Sequence, residues 1–436
     1  MKRRPSLSKR VSWRMEYAGY RLVERLLSLF TLAQVDRLGS AIGSAFFYCS
    51  SKYRRLAIRN LRIAMGREKS RGEIDKLARA TCQRTIANFL GTLKTTVLPT
   101  EEIEQHVSLL GEEHLRDALS GGKGAILVLG HMGNWELLNR LHQYLPKGTP
   151  AGGIYQPLKN PLVNDLLLRR REQDGSQLFN KRDGFHAPAS FVQSGGLLIV
   201  VADQKVGRGG TPVPFFNRLS SLSPLPALLA RKAGAPVVAA GIESTSPGKW
   251  QIVFEPLGPR PLTTDIISTL EKLIRRSPAD FLWLHNRWRL VGKTPLSISS
   301  RKSKTTPPTT NPMRTVLLTT EAPDLPALER YLAHRDPSDF PLSCEFLFVT
   351  EQAEESNASN FPIHNLVAPS AGQVAAELTT LDENGVTPIE LVLVLTPSSM
   401  LEEGSKQAKV PRMITNRKEL PLDEFLQSLT ADFTKT

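Results

Sequence analysis

His131 and Glu136 stand five residues apart at the point where a strand-like run gives way to a helical one. Gly124-Ala125-Ile126-Leu127-Val128-Leu129 is short, uncharged and mostly apolar, the pattern of a buried strand. Behind the pair, Leu137, Leu138, Leu141 and Tyr144-Leu145 recur at helical spacing and stop at Pro146. A histidine in such a place suits a general base, and a nearby carboxylate suits the group that orients it. Five positions on a regular helix turn about 500°, leaving the two side chains on different faces. They can meet only if His131 lies in the turn and the helix starts after it. Asn134 is a good N-cap residue, and Gly133 before it permits an unusual backbone angle. Glu136 would then hold the Nδ1 proton of His131 from the first helical turn, leaving Nε2 free to take a proton from a hydroxyl. Amides at that helix start would face a developing oxyanion. On spacing alone, a capped turn with an incidental histidine stands level with this reading.

Further blocks carry polar residues at element ends. Tyr155-Gln156-Pro157 and Asn160-Pro161-Leu162 precede a helical stretch that ends in Arg169-Arg170-Arg171. A guanidinium there can bind phosphate or steady an oxyanion, whereas a solvated charge run is the commoner meaning of three arginines. Gly195 to Ala202 reads as a buried strand running straight into Asp203-Gln204. Carboxyl ends of strands are where α/β sheets place their ligands. A glycine-rich loop then leads to Val213-Pro214-Phe215-Phe216-Asn217. Leu225 to Ala233 reads as a helix closed by Gly234 and followed by a strand towards Ile242. Phe281-Leu282-Trp283-Leu284-His285-Asn286-Arg287-Trp288 closes the series, its histidine and tryptophans read as structural. His106, His114 and His142 are read as ordinary surface or helix residues.

The H-x-x-x-x-E spacing after a strand, set in Gly130-His131-Met132-Gly133-Asn134-Trp135-Glu136, resembles the glycerolipid acyltransferase superfamily. Within it the chain resembles the lipid A biosynthesis acyltransferases, and the mycobacterial phosphatidylinositol mannoside acyltransferases are similar. The later blocks follow in the family's order, from about residue 10 to about 295. Asn217 stands where the family has Gly, a small departure because Asn tolerates left-handed backbone. The resemblance implies transfer of a fatty acyl chain from an acyl carrier protein, or from coenzyme A, to a hydroxyl of a lipid A precursor. His131 and Glu136 would be catalytic, and Asn134, Arg169, Arg171, Asp203 and Gln204 would contact substrate. Of the arginines, Arg169 is the favoured one. No metal or organic cofactor is implied. Two other readings remain: the same chemistry on another glycolipid, and a non-catalytic membrane-binding module.

Charge is unevenly spread over the 436 residues. Residues 1–71 hold 17 Lys/Arg against 4 Asp/Glu, while residues 313–436 hold 9 against 19, within a total of +14. A basic amino end suits an anionic membrane surface, and an acidic acyl carrier protein would be steered by it. Nucleic acid is the competing partner for such charge, but no nucleic-acid module accompanies it. No stretch reaches the roughly 18 apolar residues of a spanning helix, and no cleavable signal peptide is legible. Leu22, Val23, Leu26, Leu27 and Phe30 form one helical stripe, with Glu24 and Arg25 on the other face. Leu56, Leu61, Ala64 and Met65 form a second, opposed by Arg55, Arg59 and Arg62. Both read as helices lying in the membrane interface with arginines at the headgroups; the alternative is that the stripes pack on the protein's own core, the usual fate of such stripes. With these features, the resemblance implies a location at the cytoplasmic face of a cell inner membrane, peripheral or shallowly inserted. Cys49, Cys82 and Cys344 are too scattered for zinc or a disulfide framework. No phosphate-cradling glycine motif occurs, which leaves nucleotide chemistry unsupported.

The expected fold class is α/β: a central mixed sheet flanked by helices, plus a smaller carboxyl-terminal α/β domain. Residues 1–70 read as the basic amphipathic helices and 71–298 as the catalytic core. Residues 299–312 form a polar, proline-rich linker, and 313–436 an acidic α/β domain of unassigned role. In the last segment 315–319, 346–349 and 389–395 read as strands. Residues 325–332, 373–381 and 422–433 read as helices.

Overall fold

The computed structural model describes residues 6–206, 209–288, 294–298, 310–336, 339–351, 360–415 and 420–430, without the side chains of 141–143. The stretch 299–309 of the expected linker, residues 431–433 of the last expected helix and the His142 side chain lie outside these described residues. The chain divides into two compact units. The first comprises Met1–Ala57, Asp75–Gln204 and Ser223–His285; the second comprises Ile58–Ile74, Lys205–Leu222 and Asn286–Thr436.

The first unit is built on a seven-stranded mixed sheet. Its first five strands are β1 (Val107–Leu110), β2 (Ala125–Leu129), β3 (Ala151–Tyr155), β4 (Gln177–Asn180) and β5 (Leu197–Val201). The chain then passes through a hairpin of the second unit, β6 (Thr211–Phe215) and β7 (Arg218–Leu222). It returns as β8 (Pro236–Ser246) and β9 (Lys249–Pro259). The order is β1-β9-β8-β2-β5-β3-β4, parallel throughout except for the antiparallel pair β8–β9. Strands β2 and β5 lie at its centre, and β2 has every residue buried. That is why they read as unbroken apolar runs, since both faces are covered. One core joins Leu127, Leu129, Leu138, Leu197, Ile242, Trp250 and Phe254. The α/β fold class expected from the sequence is the one observed.

The second unit is a five-stranded, all-parallel sheet. Strands β10 (Met313–Thr319), β11 (Leu342–Thr350), β12 (Ile363–Val367), β13 (Leu391–Val394) and β14 (Arg412–Ile414) lie in the order β12-β11-β10-β13-β14. Helix Leu325–His334 follows β10, Ala371–Asn384 follows β12, Ser399–Gln407 follows β13 and Leu422–Ser428 follows β14. Two apolar clusters, one around Leu317, Phe346 and Leu393 and one around Leu318, Leu347 and Val394, bury its faces. The strand alternation of the pleat sends successive residues of β10 into different clusters.

The amino-terminal stripes part company. On the helix Leu7–Ser28, Leu22, Val23, Leu26 and neighbouring Leu29 and Phe30 are exposed, whereas Leu27 is buried. Glu24, expected on the solvent face, is buried and paired with Arg21 and Arg170. On the helix Ser51–Met65, Leu61, Ala64 and Met65 are buried. Its Arg62 is bound to Asp382 at 3.0 Å, and Arg59 donates to the Glu390 carbonyl at 3.2 Å. The placement of those two arginines at lipid headgroups is therefore corrected: the Asp382 carboxylate, on the helix Ala371–Asn384, and the carbonyl of Glu390, just before β13, supply their partners. Among the described residues no helix is long and apolar enough to cross a membrane.

Candidate active site

The site forms where β2 and β5 end side by side. The two strands run parallel with Leu129 opposite Val201, and the amide of Ala202 donates to the Leu129 carbonyl at 2.9 Å. Two residues beyond each strand end, the chains carry His131 and Asp203. Neighbouring strands lie about 4.8 Å apart, so equal offsets from a shared register bring these side chains together. Nδ1 of His131 lies 2.6 Å from Oδ1 of Asp203, whose carboxylate is fully buried. An ionised carboxylate only accepts, so this contact places the histidine proton on Nδ1 and leaves Nε2 as the acceptor. The Gln204 amide nitrogen lies 3.1 Å from that Nε2 and donates to it. Trp135 packs edge-on against the imidazole, at 5.2 Å between ring centres.

The turn that carries His131 is tightly determined. Gly133 has φ +58°, and a Cβ there would come within 2.4 Å of the Ile242 carbonyl oxygen. Its amide donates to the Asp280 carbonyl at 3.0 Å, the Leu282 amide donates to the His131 carbonyl at 2.9 Å, and Met132 pairs with Phe281. Asp280 is itself buried, taking bonds from Asn88 (2.8 Å), the Ser244 hydroxyl (2.6 Å) and amide (2.8 Å), and Ser277 (2.7 Å). Trp250 adds a bond to Asn88 at 2.8 Å. Sequence reading missed Asp280. Its only signal there was its place directly before the aromatic run Phe281 to Trp288. Trp283 in that run is fully buried and donates to the Pro278 carbonyl at 2.7 Å, in keeping with a structural role.

Glu136 takes a different position from the one its spacing suggested. His131 does precede the helix Trp135–Tyr144, but that helix is of the 3₁₀ type. Glu136 is gripped by Arg171 through both its carboxylate oxygens, the Nε contact at 2.9 Å, and by Asn139 at 2.8 Å. The expectation that Glu136 holds Nδ1 of His131 is thus corrected: Asp203 holds it. Burial opposes the charge on Arg171, but the Glu136 carboxylate outweighs it and raises the guanidinium above its ordinary value. Of the arginine run, Arg171 is the member that meets Glu136; Arg170 binds Glu24 and Tyr20, and Arg169 is exposed. Asn134 is fully buried between the hydroxyls of Thr92 (2.7 Å) and Thr95 (3.0 Å), so its side chain supports the turn instead of meeting substrate. Asn160 caps the helix Pro161–Glu172 by accepting from the Leu162 amide at 3.0 Å. No group of residues suited to hold a metal ion occurs among the described residues.

A histidine with an open acceptor nitrogen, oriented by a buried carboxylate at the carboxyl ends of two central strands, defines an α/β site equipped to move a proton. A family model for the bacterial lipid A biosynthesis acyltransferases matches residues 1–290. The chain is 24% identical over 265 residues to a lipid A biosynthesis lauroyltransferase of Escherichia coli (strain K12), covering 58% of this chain and 85% of that protein. It is 22% identical over 269 residues to a lipid A biosynthesis acyltransferase of Haemophilus influenzae, covering 59% and 83%. Over 167 residues it is 25% identical to a phosphatidylinositol mannoside acyltransferase of Mycolicibacterium smegmatis, covering 37% and 54%. The chain belongs to the bacterial lipid A biosynthesis acyltransferase family. It is an acyltransferase, moving an acyl group from an acyl donor to a glycolipid acceptor.

Proposed function

We propose that this enzyme moves a fatty acyl chain from an acyl carrier protein thioester to a hydroxyl of a lipid A precursor, with His131 as general base. The observation that carries the role of His131 is the 2.6 Å contact between its Nδ1 and Asp203. The acceptor hydroxyl displaces the Gln204 amide and donates to Nε2. As its proton moves to Nε2, the oxygen attacks the thioester carbonyl, and the tetrahedral intermediate then expels the thiolate. The imidazolium, stabilised by Asp203, returns the proton to that sulfur. No acyl-enzyme is needed, because the alcohol reaches the carbonyl directly. Glu136 acts one step away, locking Arg171 and the helix Pro161–Glu172 to the turn.

The acyl carrier protein is preferred to coenzyme A as donor because such carriers are acidic, and the amino-terminal 71 residues carry 17 Lys/Arg against 4 Asp/Glu. The same charge, with the exposed apolar stripe of the helix Leu7–Ser28, suits peripheral attachment at the cytoplasmic face of an inner membrane. A second acceptor class, phosphatidylinositol mannosides, is favoured by the 25% identity to the Mycolicibacterium smegmatis enzyme. The test incubates purified full-length protein with carrier-protein and coenzyme A thioesters against each acceptor, wild type beside His131→Ala. Transfer by the wild type alone supports the mechanism, equal transfer by both overturns it, and the better thioester and lipid identify donor and acceptor.

A further inference from the structure

The helix Arg71–Thr95 carries a row of polar side chains on a face that turns inward. Arg84, Asn88, Thr92 and Thr95 recur at helical spacing, which sets them on one side. Asn88 and Thr95 are buried, and burial of such groups is tolerable only with hydrogen-bond partners. The row has two sets of partners. Arg84 and Asn88 meet Asp280, with Nε of Arg84 3.6 Å and the Asn88 amide 2.8 Å from its Oδ1. Thr92 donates to the Asn134 side-chain oxygen at 2.7 Å, and the Asn134 amide donates to the Thr95 hydroxyl at 3.0 Å. All of these residues, and His131 with them, belong to the first unit.

Asn134 and Asp280 hold the backbone around His131 from two sides. Asn134 belongs to the turn itself, directly after Gly133. The segment 280–282 lies along 131–133: the Gly133 amide donates to the Asp280 carbonyl at 3.0 Å, the Leu282 amide to the His131 carbonyl at 2.9 Å, and Met132 pairs with Phe281 between them. The main chain of 280–282 therefore sets how His131 leaves β2, and the Asp280 carboxylate anchors that main chain. Both carboxylate oxygens serve as acceptors. Oδ1 takes the Asn88 amide and the Ser244 hydroxyl (2.6 Å), and Oδ2 takes the Ser244 backbone amide (2.8 Å) and the Ser277 hydroxyl (2.7 Å). A side-chain amide at residue 280 would turn an N–H towards donors on one side or the other. Arg84 supplies the positive charge and is itself held by Asp36 at 3.2 Å. The surroundings thus demand a carboxylate and not merely a polar residue of the same shape.

We infer that Asp280 is a positioning residue for the acyl transfer: anchored by Arg84, Asn88, Ser244 and Ser277, it fixes the segment 280–282 and, through the backbone bonds of that segment, the place of His131 against Asp203. The polar row of the helix Arg71–Thr95 is on this view the scaffold of the general base, supporting it through Asp280 on one side and Asn134 on the other. The inference rests on the proposed role of His131.

The test uses the full chain with Asp280→Asn, which keeps the shape and removes the charge. Steady-state transfer is measured on folded protein together with the proton spectrum, in which an Nδ1 proton shared with a carboxylate resonates far downfield; the His131 signal is the one missing from His131→Ala. The expected result for Asp280→Asn is a fall in kcat of about tenfold to a hundredfold with KM nearly unchanged, and a shifted or vanished His131 signal. A wild-type kcat would overturn the inference and leave Asp280 a purely structural anchor, whatever the unfolding midpoint does. A lowered kcat with the His131 signal in place would overturn it too, because the base would still be held. Should Asp280→Asn not fold, Ser277→Ala, which takes one donor from the carboxylate and leaves its charge, is judged by the same two readouts with a fall in kcat of about threefold or more. Failure of the underlying catalytic reading shows separately, as transfer that survives His131→Ala.

Discussion

Oδ1 of Asp203 lies 2.6 Å from Nδ1 of His131 although 72 residues separate them, because each follows a neighbouring parallel strand by the same two residues. Replacing Asp203 by Asn removes the charge and allows the wrong histidine tautomer while keeping the shape. The expected effect is a drop in kcat of about a thousandfold with little change in KM. Steady-state transfer assays on folded protein check it. An unchanged kcat would mean that His131 needs no orienting carboxylate.

Glu136 pairs with Arg171 in place of the histidine expected for it, so its effect should be on the frame and not on the proton. Removing Glu136 alone leaves a mostly buried guanidinium without its charge partner, so Glu136→Ala should destabilise by about 2–4 kcal/mol. A double-mutant cycle with Arg171→Ala should give a coupling of about 1–3 kcal/mol in urea unfolding. Additive effects would show that the two do not act together.

How much of this was legible depends on the range of the interaction. Strands β2, β5, β10, β11 and β13 were readable because each is an apolar run closed by a turn signal. Strand β12, with its exposed alternate residues, and the three-residue β14 gave no such run. Helix Ser399–Gln407 escaped because polar residues dominate it. At the site, His131 preceding its helix followed from local geometry, since Gly133 and the 500° argument are local. Asp203 was singled out by its place at a strand end, but its partner was not, because strand order is a tertiary property that no spacing encodes. Glu136 was assigned to the nearest histidine in sequence when an arginine 35 residues away was nearer in space. Glu24, Arg59 and Arg62 failed for the same reason: a stripe shows which faces differ, not what lies opposite.

Gly133 should tolerate no side chain. Its φ of +58° already disfavours one, and the added Cβ would meet backbone, the Ile242 carbonyl at 2.4 Å, which cannot swing away. Gly133→Ala should cost about 2 kcal/mol or more and displace His131, two residues before it. Urea midpoints and transfer rates should fall together; a stable, fully active variant would contradict the geometry.

Asp339 should make stability depend on pH. Burial lifts its carboxyl from 3.8 to about 6, against a hydrogen bond from Ser297 and the charge of Arg335 and with the charge of Asp336. Because the folded value exceeds the unfolded one, its contribution is complete below pH 3.8 and is lost as pH rises through about 6. Two units correspond to about 3 kcal/mol, an upper figure for the gain at pH 7.5 when Asp339→Asn removes the charge. Urea unfolding at pH 4 should show little difference between variant and wild type, and at pH 7.5 the variant should be the more stable. A variant less stable at both values would show that the carboxylate is needed in its charged form.

The apolar stripe of the helix Leu7–Ser28 should set membrane affinity. Leu22 and Leu26 are more than half exposed on it, and Leu29 just beyond is 78% exposed. Burying half a leucine in lipid contributes about 1 kcal/mol, so Leu22→Ser with Leu26→Ser should weaken vesicle binding by about tenfold to a hundredfold. Lys9, Arg10, Arg14 and Arg25 on the same helix add an electrostatic share that salt removes and neutral lipid lacks. Co-sedimentation with phosphatidylglycerol-containing and pure phosphatidylcholine vesicles, at low and high salt, separates the two shares. Both leucines point away from the protein's own core, so the folded state should lose little and the unfolding midpoint should hold. Binding that survives the double substitution would move the lipid contact to another face of the molecule.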